Sequence, residues 1–389
     1  MTGPRPYVLT VALGLALIAA FNYTVDPGRH WRPAAFQFTH NWPAGQEFLT
    51  DDDFDERPFR VAHMAVIERP DVIVFGSSRA FLIDSEMFPA ATRSYNASVP
   101  GATIEDFAAL WQALKDQDKT PRYLILLADP WIFNANSGQI RWRGNLALYE
   151  KFLRGSSHGA SPRLWIEAAR QRWRSFYDGL CELLSFKLLV AAAKTAAVRL
   201  RSGWPAQKMT FSPLGSTAQI GWRADGAVEY PVDKIKPKTL EAIRASAAEY
   251  GEQEDVYSIS RYQVDGRALS VLDALIDDVA AHGTKLLVIA PPYHQVVLEK
   301  LAARPKYAGV LPLFSSLLKR GSRDGARFPV CDALDPRLSR CSEVEFMDGM
   351  HMLPGCAAKV LQRCLEPLPE WQPLRSIPQA VARARRSKI

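Results

Sequence analysis

Three short segments of this chain hold residue types able to do acyl chemistry. The first is Gly76-Ser77-Ser78-Arg79, which interrupts an apolar, β-branched run at 71–75. A buried strand that breaks at Gly-Ser-Ser delivers a hydroxyl to the carboxyl end of a parallel sheet, where ligands collect in open α/β folds. A helix following the serines would aim its N-terminal N–H groups at a developing anion. The competing reading is a turn in which Ser77 or Ser78 only caps that helix. The second segment is Tyr95-Asn96-Ala97-Ser98-Val99-Pro100-Gly101. Its glycine lets backbone approach a ligand closely and offers an N–H, although Pro-Gly is also an ordinary turn. The third is Asp348-Gly349-Met350-His351, in a loop ahead of a helix. Asp and His three apart can share a hydrogen bond that fixes the imidazole tautomer and stabilises its cation, or can be a plain surface pair. Among the remaining histidines, His30, His40, His63, His158, His282 and His294, only His294 follows a strand and rivals His351.

The elements that must position these segments read as follows. Residues 71–75, 123–128 and 285–290 are short apolar runs of the kind that forms fully buried parallel strands, and 94–97 and 328–331 are read as two further short strands. Between them, 103–116 and 268–281 carry helical spacing. Thr103 and Asp106 suggest a capping box, and Gly283 a C-terminal stop. Further helices are expected at 296–303, 310–319 and 355–365. Strands separated by helices imply a three-layer α/β/α fold around a roughly five-stranded parallel sheet, of flavodoxin-like type. The stretch 138–262 departs from this rhythm. It holds a helical run at 161–200 and a Gly/Pro/Ser-rich loop at 202–221, and reads as a mainly helical insertion or cap. The organisation expected is a membrane segment at 1–25, a loop-rich lead-in at 26–60, the α/β domain at 61–137 and 263–368 around the insertion, and a basic tail at 369–389.

Residues 7–21 carry no charge, and 22–25 extend them to nineteen before Asp26-Pro27. A spanning helix needs ~20 apolar residues and a signal-peptide core ~7–15. The poor cleavage site at Ile18-Ala19-Ala20 favours an uncleaved anchor over a removed signal. The net charge of +7, from 48 basic and 41 acidic residues, is scattered except for Arg383, Arg385, Arg386 and Lys388. No aromatic-plus-basic module points to nucleic acid. The sequence shows no metal-ligand cluster and no phosphate-binding glycine loop, so neither a metal nor a cofactor is expected. Five cysteines lack any C-x-x-C pair. Outside the cytoplasm disulfides are allowed, and Cys331–Cys341 is the natural local pair. Cys356 and Cys364, about 12 Å apart by helical rise, cannot bridge each other.

Taken together, the three segments resemble the SGNH (GDSL-like) hydrolase superfamily over about 62–135 and 265–365. Gly76-Ser77-Ser78-Arg79 stands at the Gly-Asp-Ser block, Gly101 at the second-block glycine, and Asp348-x-x-His351 at the final Asp-x-x-His block. Gly-Ser-Ser behind an N-terminal anchor and Asn22-Tyr23-x-x-Asp26-Pro27 is most similar to one subgroup. It includes alginate O-acetyltransferase-like proteins and the D-alanyl transfer proteins of teichoic acid synthesis. The resemblance implies a single-pass inner-membrane protein with a periplasmic domain. It implies acyl transfer or ester hydrolysis on an exported polysaccharide, an acylated carrier or polysaccharide as substrate, and a membrane-bound O-acyltransferase as partner. Ser78 is then the nucleophile, His351 the base, Asp348 its orienting group, and the N–H groups of Ser78 and Gly101 the oxyanion donors. Arg79, Asp129, Asn134 and His294 are the further groups expected to line the site. One block departs: where the family carries Gly-x-Asn-Asp, this chain has Asp129 and then Asn134. An anionic Asp129 is a poor donor to an oxyanion, which keeps a non-catalytic binding or assembly factor open as the alternative.

Overall fold

The computed structural model describes residues 5–26, 42–49, 56–156, 162–202, 211–215, 219–236, 238–320 and 328–375. The acidic residues at 51–55, the basic residues at 383–388, and His30, His40 and His158 lie outside them. In chain order the elements are α1 (Arg5–Val25), β1 (Gln46–Leu49), α2 (Glu56–Val66), β2 (Val72–Phe75) and β3 (Ser94–Asn96). Then come α3 (Ile104–Asp116), β4 (Tyr123–Leu127), α4 (Leu146–Gly155), α5 (Pro162–Leu183) and α6 (Phe186–Ser202). Next are β5 (Phe211–Pro213), β6 (Gly221–Trp222), β7 (Val228–Glu229), α7 (Val232–Ile235) and α8 (Leu240–Glu252). The chain ends with α9 (Gly266–Ala281), β8 (Lys285–Ala290), α10 (Gln295–Ala303), α11 (Val310–Arg320), β9 (Val330–Asp332) and α12 (Pro354–Leu365).

The five expected strands form one parallel sheet in the order β3-β2-β4-β8-β9. Side chains alternate along a strand, so a strand covered on both faces is apolar at every position. Ile73 and Phe75 of β2 meet Phe107, Leu110, Leu126 and Val288 on one face. Val72 and Val74 meet Ile125, Ile289, Val360 and Leu361 on the other. The N-terminus of α3 carries the expected capping box.

Four sequence readings are corrected here. Residues 46–49 and 56–60 are not loop: they form β1 and the start of α2. The stretch 202–221 is not all loop, since β5 lies inside it and β6 begins at its end. β5-β1-β6-β7 is a second, antiparallel sheet over Phe48, Phe59, Phe81 and Trp222. Its strands, two to four residues long, are too short to show a period. Cys331 does not pair with Cys341. The disulfides are Cys331–Cys364, with Cα atoms 5.5 Å apart, and Cys341–Cys356, 5.0 Å apart. Both tie α12 down, because α12 packs on the sheet face beside the edge strand β9 and the 3-10 turn Pro336–Ser339 separates Cys331 from Cys341. The run at 161–200 divides into α5 and α6, and Pro369–Leu374, read as tail, forms a 3-10 turn that buries Trp371 on the sheet. Residues Tyr7–Val25 of α1 have a mean hydropathy of 2.0 and are long and apolar enough to cross a membrane, as a signal sequence also is.

Candidate active site

Gly76 leaves β2 with no room for a side chain, since a Cβ there would lie 2.7 Å from that of Ala80. Ser77 is buried and its Oγ accepts the Arg79 N–H at 3.2 Å. Ser77 is therefore the cap, and Ser78 is left to face outward. The helix expected after the serines is a single 3-10 turn, Ser78–Ala80. The Asn96 side chain takes the carbonyls of Ala80 and Ile83 at 2.7 and 2.8 Å, so they are not available as helix acceptors. No helix dipole serves this serine.

Ser78 Oγ lies 2.9 Å from His351 Nε2, and His351 Nδ1 lies 2.8 Å from Asp348 Oδ2. The other Asp348 oxygen accepts the backbone N–H groups of Met350 and His351 at 2.8 and 2.9 Å. Burial alone would raise the Asp348 pKa, but the hydrogen bond and charge of His351 and those two N–H groups outweigh it, lowering it to about 2. An ionised carboxylate only accepts, so Nδ1 of His351 carries the proton. In the neutral ring Nε2 is then the acceptor for the Ser78 hydroxyl. All three side chains are half-buried, so a substrate can reach them.

Arg79 and Asp129 are not in a position to line a substrate site; both are buried. Arg79 donates to Asp129 at 2.7 Å, to the carbonyls of Met350 and Pro291 at 3.0 Å, and to that of Pro292 at 2.5 Å. Its guanidinium lies 4.1 Å from the centre of the Tyr293 ring. One side chain thus joins the carboxyl ends of β2, β4 and β8 to the loop that carries His351. Burial raises the Asp129 pKa against the opposing pull of Arg79, Ser77 and His351. Asn134 is also spent on structure. Its amide donates to Ser258 O at 2.8 Å and its Oδ1 accepts from Gln263 N at 3.0 Å, holding the segment before α9. His294 caps α10 through Nδ1, 3.2 Å from Val296 N, and its Nε2 faces Glu343 at 3.5 Å. Burial lowers its pKa. The rivalry between the two histidines is thus resolved by geometry: His351 meets Ser78 and His294 caps a helix.

Gly101 has φ +55°, and a Cβ there would come within 2.7 Å of Arg141 Nη2 and Gln139 Oε1, and close to the Tyr257 hydroxyl. The left-handed backbone favours glycine here, and any side chain would have to displace the ends of these three residues. Its loop is held from below by residues that sequence reading overlooked. Arg57 of α2 pairs with Asp106 at 2.7 and 2.9 Å and donates to Pro100 O at 3.1 Å. Arg60 donates to Ser98 O at 3.0 Å. The available signal was two arginines at i and i+3 beside Phe59 and Met64, on what should be an apolar helix face. Of the five tryptophans between 142 and 222, Trp142 and Trp222 are buried, Trp173 is exposed, and the side chains of Trp165 and Trp204 lie outside the described residues.

The surface hollows lined by Leu240, Arg244 and Val296, and by Leu298, Ser315 and Asp332, do not include Ser78 or His351. Among the described residues no group of three or more His, Cys, Asp or Glu could hold a metal ion. No protein-family model and no curated protein matches the chain. The chemistry therefore has to be argued from the arrangement itself. A hydroxyl, an imidazole with its acceptor nitrogen toward that hydroxyl, and an ionised carboxylate behind it are the parts of a charge-supported nucleophile.

Proposed function

We propose that this chain is a serine-dependent acyltransferase or esterase of the SGNH kind, with a three-layer α/β/α domain, acting on an exported or cell-surface polysaccharide. The observation that carries the reading is the unbroken hydrogen-bond chain Ser78–His351–Asp348 at the carboxyl end of β2. In the reaction, Ser78 Oγ attacks an ester or thioester carbonyl carbon while His351 Nε2 takes its proton. The N–H groups of Ser78 and Gly101 stabilise the oxyanion. Collapse of the tetrahedral intermediate expels the alcohol or thiol, which takes the proton from His351, and leaves the acyl group on Ser78. A sugar hydroxyl, or water, then attacks that ester; His351 removes its proton and returns one to Ser78.

Placement outside the cytoplasm is part of the same reading. It is supported by the apolar helix α1 as a single-pass anchor in the inner membrane, and by two disulfides, which persist in oxidising compartments. A membrane-bound O-acyltransferase would supply acyl groups from inside, and the acceptor is the polymer. A second reading, a non-catalytic binding or assembly factor, is favoured by one observation: the third block is an Arg79–Asp129 ion pair rather than an asparagine donor. The experiment that separates them measures acyl incorporation into the polymer for Ser78→Ala, Ser77→Ala, His351→Ala and Asp348→Asn at equal expression. Loss in Ser78→Ala and His351→Ala, with Ser77→Ala mild, is the enzyme result. Wild-type acylation by Ser78→Ala would leave the binding-factor reading. A C-terminal reporter active only in the cytoplasm would overturn the placement.

A further inference from the structure

Helices α5 and α6 show their apolar sides outward. On α5, Trp173, Phe176, Tyr177, Leu180 and the following Leu184 recur at i, i+3, i+4, i+7 and i+11, which is one helix face. All five are exposed, Trp173 by 72%. On the other side of the helix Arg172 pairs with Glu150 of α4 and Asp178 with Arg143, tying α5 to the body although both side chains stay more than half exposed. α6 repeats the pattern. Leu188 and Ala192 are buried, while Phe186, Val190 and Leu200 on the opposite face are exposed, Phe186 by 77% and Leu200 by 78%. Beside that outer face run Lys187, Lys194 and Arg201, seven residues apart and exposed. An apolar stripe bordered by a basic row is the pattern of a helix that lies in a membrane interface. Its aromatic residues, Trp173 and Tyr177, are the types that settle at headgroup level.

The position of the hairpin says what covers it. It packs against α1. The polar contacts are at the last turn of α1, where Asn22 donates to Leu183 O at 2.7 Å and Arg199 donates to Val25 O at 2.6 Å. That turn is where a spanning α1 leaves the hydrocarbon. A hairpin fixed there, with its apolar face turned away from the protein, meets the bilayer surface.

We infer that the α5–α6 hairpin is a membrane-interface element: it lies on the bilayer beside α1, with Trp173, Phe176, Leu180, Phe186 and Leu200 below the phosphates and Lys187, Lys194 and Arg201 against anionic headgroups. This rests on the reading of α1 as a retained anchor. The consequence is a second point of attachment, which fixes the orientation of the domain and the height of Ser78 relative to the membrane.

The test uses the full chain in phosphatidylethanolamine–phosphatidylglycerol vesicles. Nitroxide labels are placed at Phe176→Cys and Phe186→Cys in a Cys181→Ser background, since Cys181 is the free, exposed cysteine, with Glu241→Cys on α8 as control. Flotation reports the anchor, and relaxation by oxygen against a water-soluble nickel chelate reports depth. The expected result is a chain that floats, with both hairpin labels several-fold more accessible to oxygen relative to nickel than the control, at a depth of roughly 5–10 Å. A chain that floats while both labels match the control overturns the hairpin inference and spares the anchor. Labels screened from both reagents overturn it in favour of a protein partner. A chain that does not float overturns the anchor reading and this inference together.

Discussion

The carboxyl edge of the parallel sheet and the α5–α6 hairpin treat polar and apolar groups in opposite ways. At the sheet edge, charge is drawn inside: Arg79 and Asp129 are buried against each other, and Arg57 and Asp106 repeat the device under the Gly101 loop. The apolar strands there are wholly enclosed. In the hairpin the charged residues Arg172 and Asp178 pair with the body but stay more than half exposed, and the aromatic residues face out. Buried ion pairs contribute little net stability against well-packed apolar groups. Their use at the sheet edge is positional: Arg79 joins three strand ends and the His351 loop through one planar, fixed fork of donors. Among the described residues the hairpin's ion pairs to the body, Arg172–Glu150 and Asp178–Arg143, are each exposed on one side. The comparison separates a region built to hold a few atoms in place from one built to present a surface.

The largest expected effects fall at the sheet edge. Ser78→Ala and His351→Ala should each lower turnover by roughly a thousandfold or more and to a common floor, because the members of such a unit act together. Asp348→Asn should cost somewhat less. Turnover by the purified variants checks this, and different floors for the two alanine variants would break the unit apart.

Next is Arg79. Arg79→Met leaves Asp129 buried and unpaired and should lower unfolding free energy by about 3–5 kcal/mol in urea titration. Adding Asp129→Leu should restore most of that stability without restoring activity, if Arg79 acts by positioning the loop. Recovery of both would reduce it to a stability element.

The Cys341–Cys356 disulfide closes a loop that contains Asp348 and His351. The paired Cys341→Ser and Cys356→Ser variant should lose about 3 kcal/mol, the magnitude expected for a closed loop of this length. Activity should fall under reductant in the wild type and fall less in the variant, which keeps only Cys331–Cys364.

His63 gives a smaller, pH-dependent effect. Burial, with a contribution from the neighbouring Arg60 charge, lowers its pKa from 6.5 to about 3. Its Nδ1 meets the Tyr95 hydroxyl at 3.0 Å. The unfolded chain takes up a proton near pH 6.5 that the folded chain refuses until about pH 3, so stability falls as pH drops through that window. Between pH 7 and pH 5 the loss should be about 2 kcal/mol, and His63→Gln should flatten it.

The smallest effect belongs to the hairpin. Phe176→Ser should change unfolding free energy in detergent by less than about 0.5 kcal/mol, as for an ordinary surface site. Phe107→Ala, inside the sheet's core, should cost about 3–5 kcal/mol. A large loss at Phe176 would mean that the hairpin face is packed, and the contrast between the two regions would disappear.

The body of the fold was legible because fully covered parallel strands are continuous apolar runs, and 71–75, 123–128 and 285–290 are such runs. Ser78, Asp348 and His351 were singled out as a set by the resemblance, since residue type and spacing alone left a capping turn and a plain surface pair open; their hydrogen-bond chain is a matter of long-range folding. What was hidden depends on long-range convergence. The place of Arg79 is set by the carbonyls of Pro291, Pro292 and Met350, more than two hundred residues away in sequence. The partners of Cys331 and Cys341 depend on where α12 packs. Amphipathic spacing marks a stripe on α5 but not which way it faces, and the strands of the second sheet are too short to carry a pattern.

The most direct test of the central claim is to trap the acyl-enzyme. The full chain is treated with a fluorophosphonate, and in parallel with an activated acetyl ester, then digested and mapped by mass spectrometry. A stoichiometric adduct on the Ser78 oxygen is expected, absent in Ser78→Ala and strongly slowed in His351→Ala, with Ser77 unmodified. No adduct on Ser78 in a folded, disulfide-bonded chain, or one formed as fast in His351→Ala as in the wild type, would contradict the account.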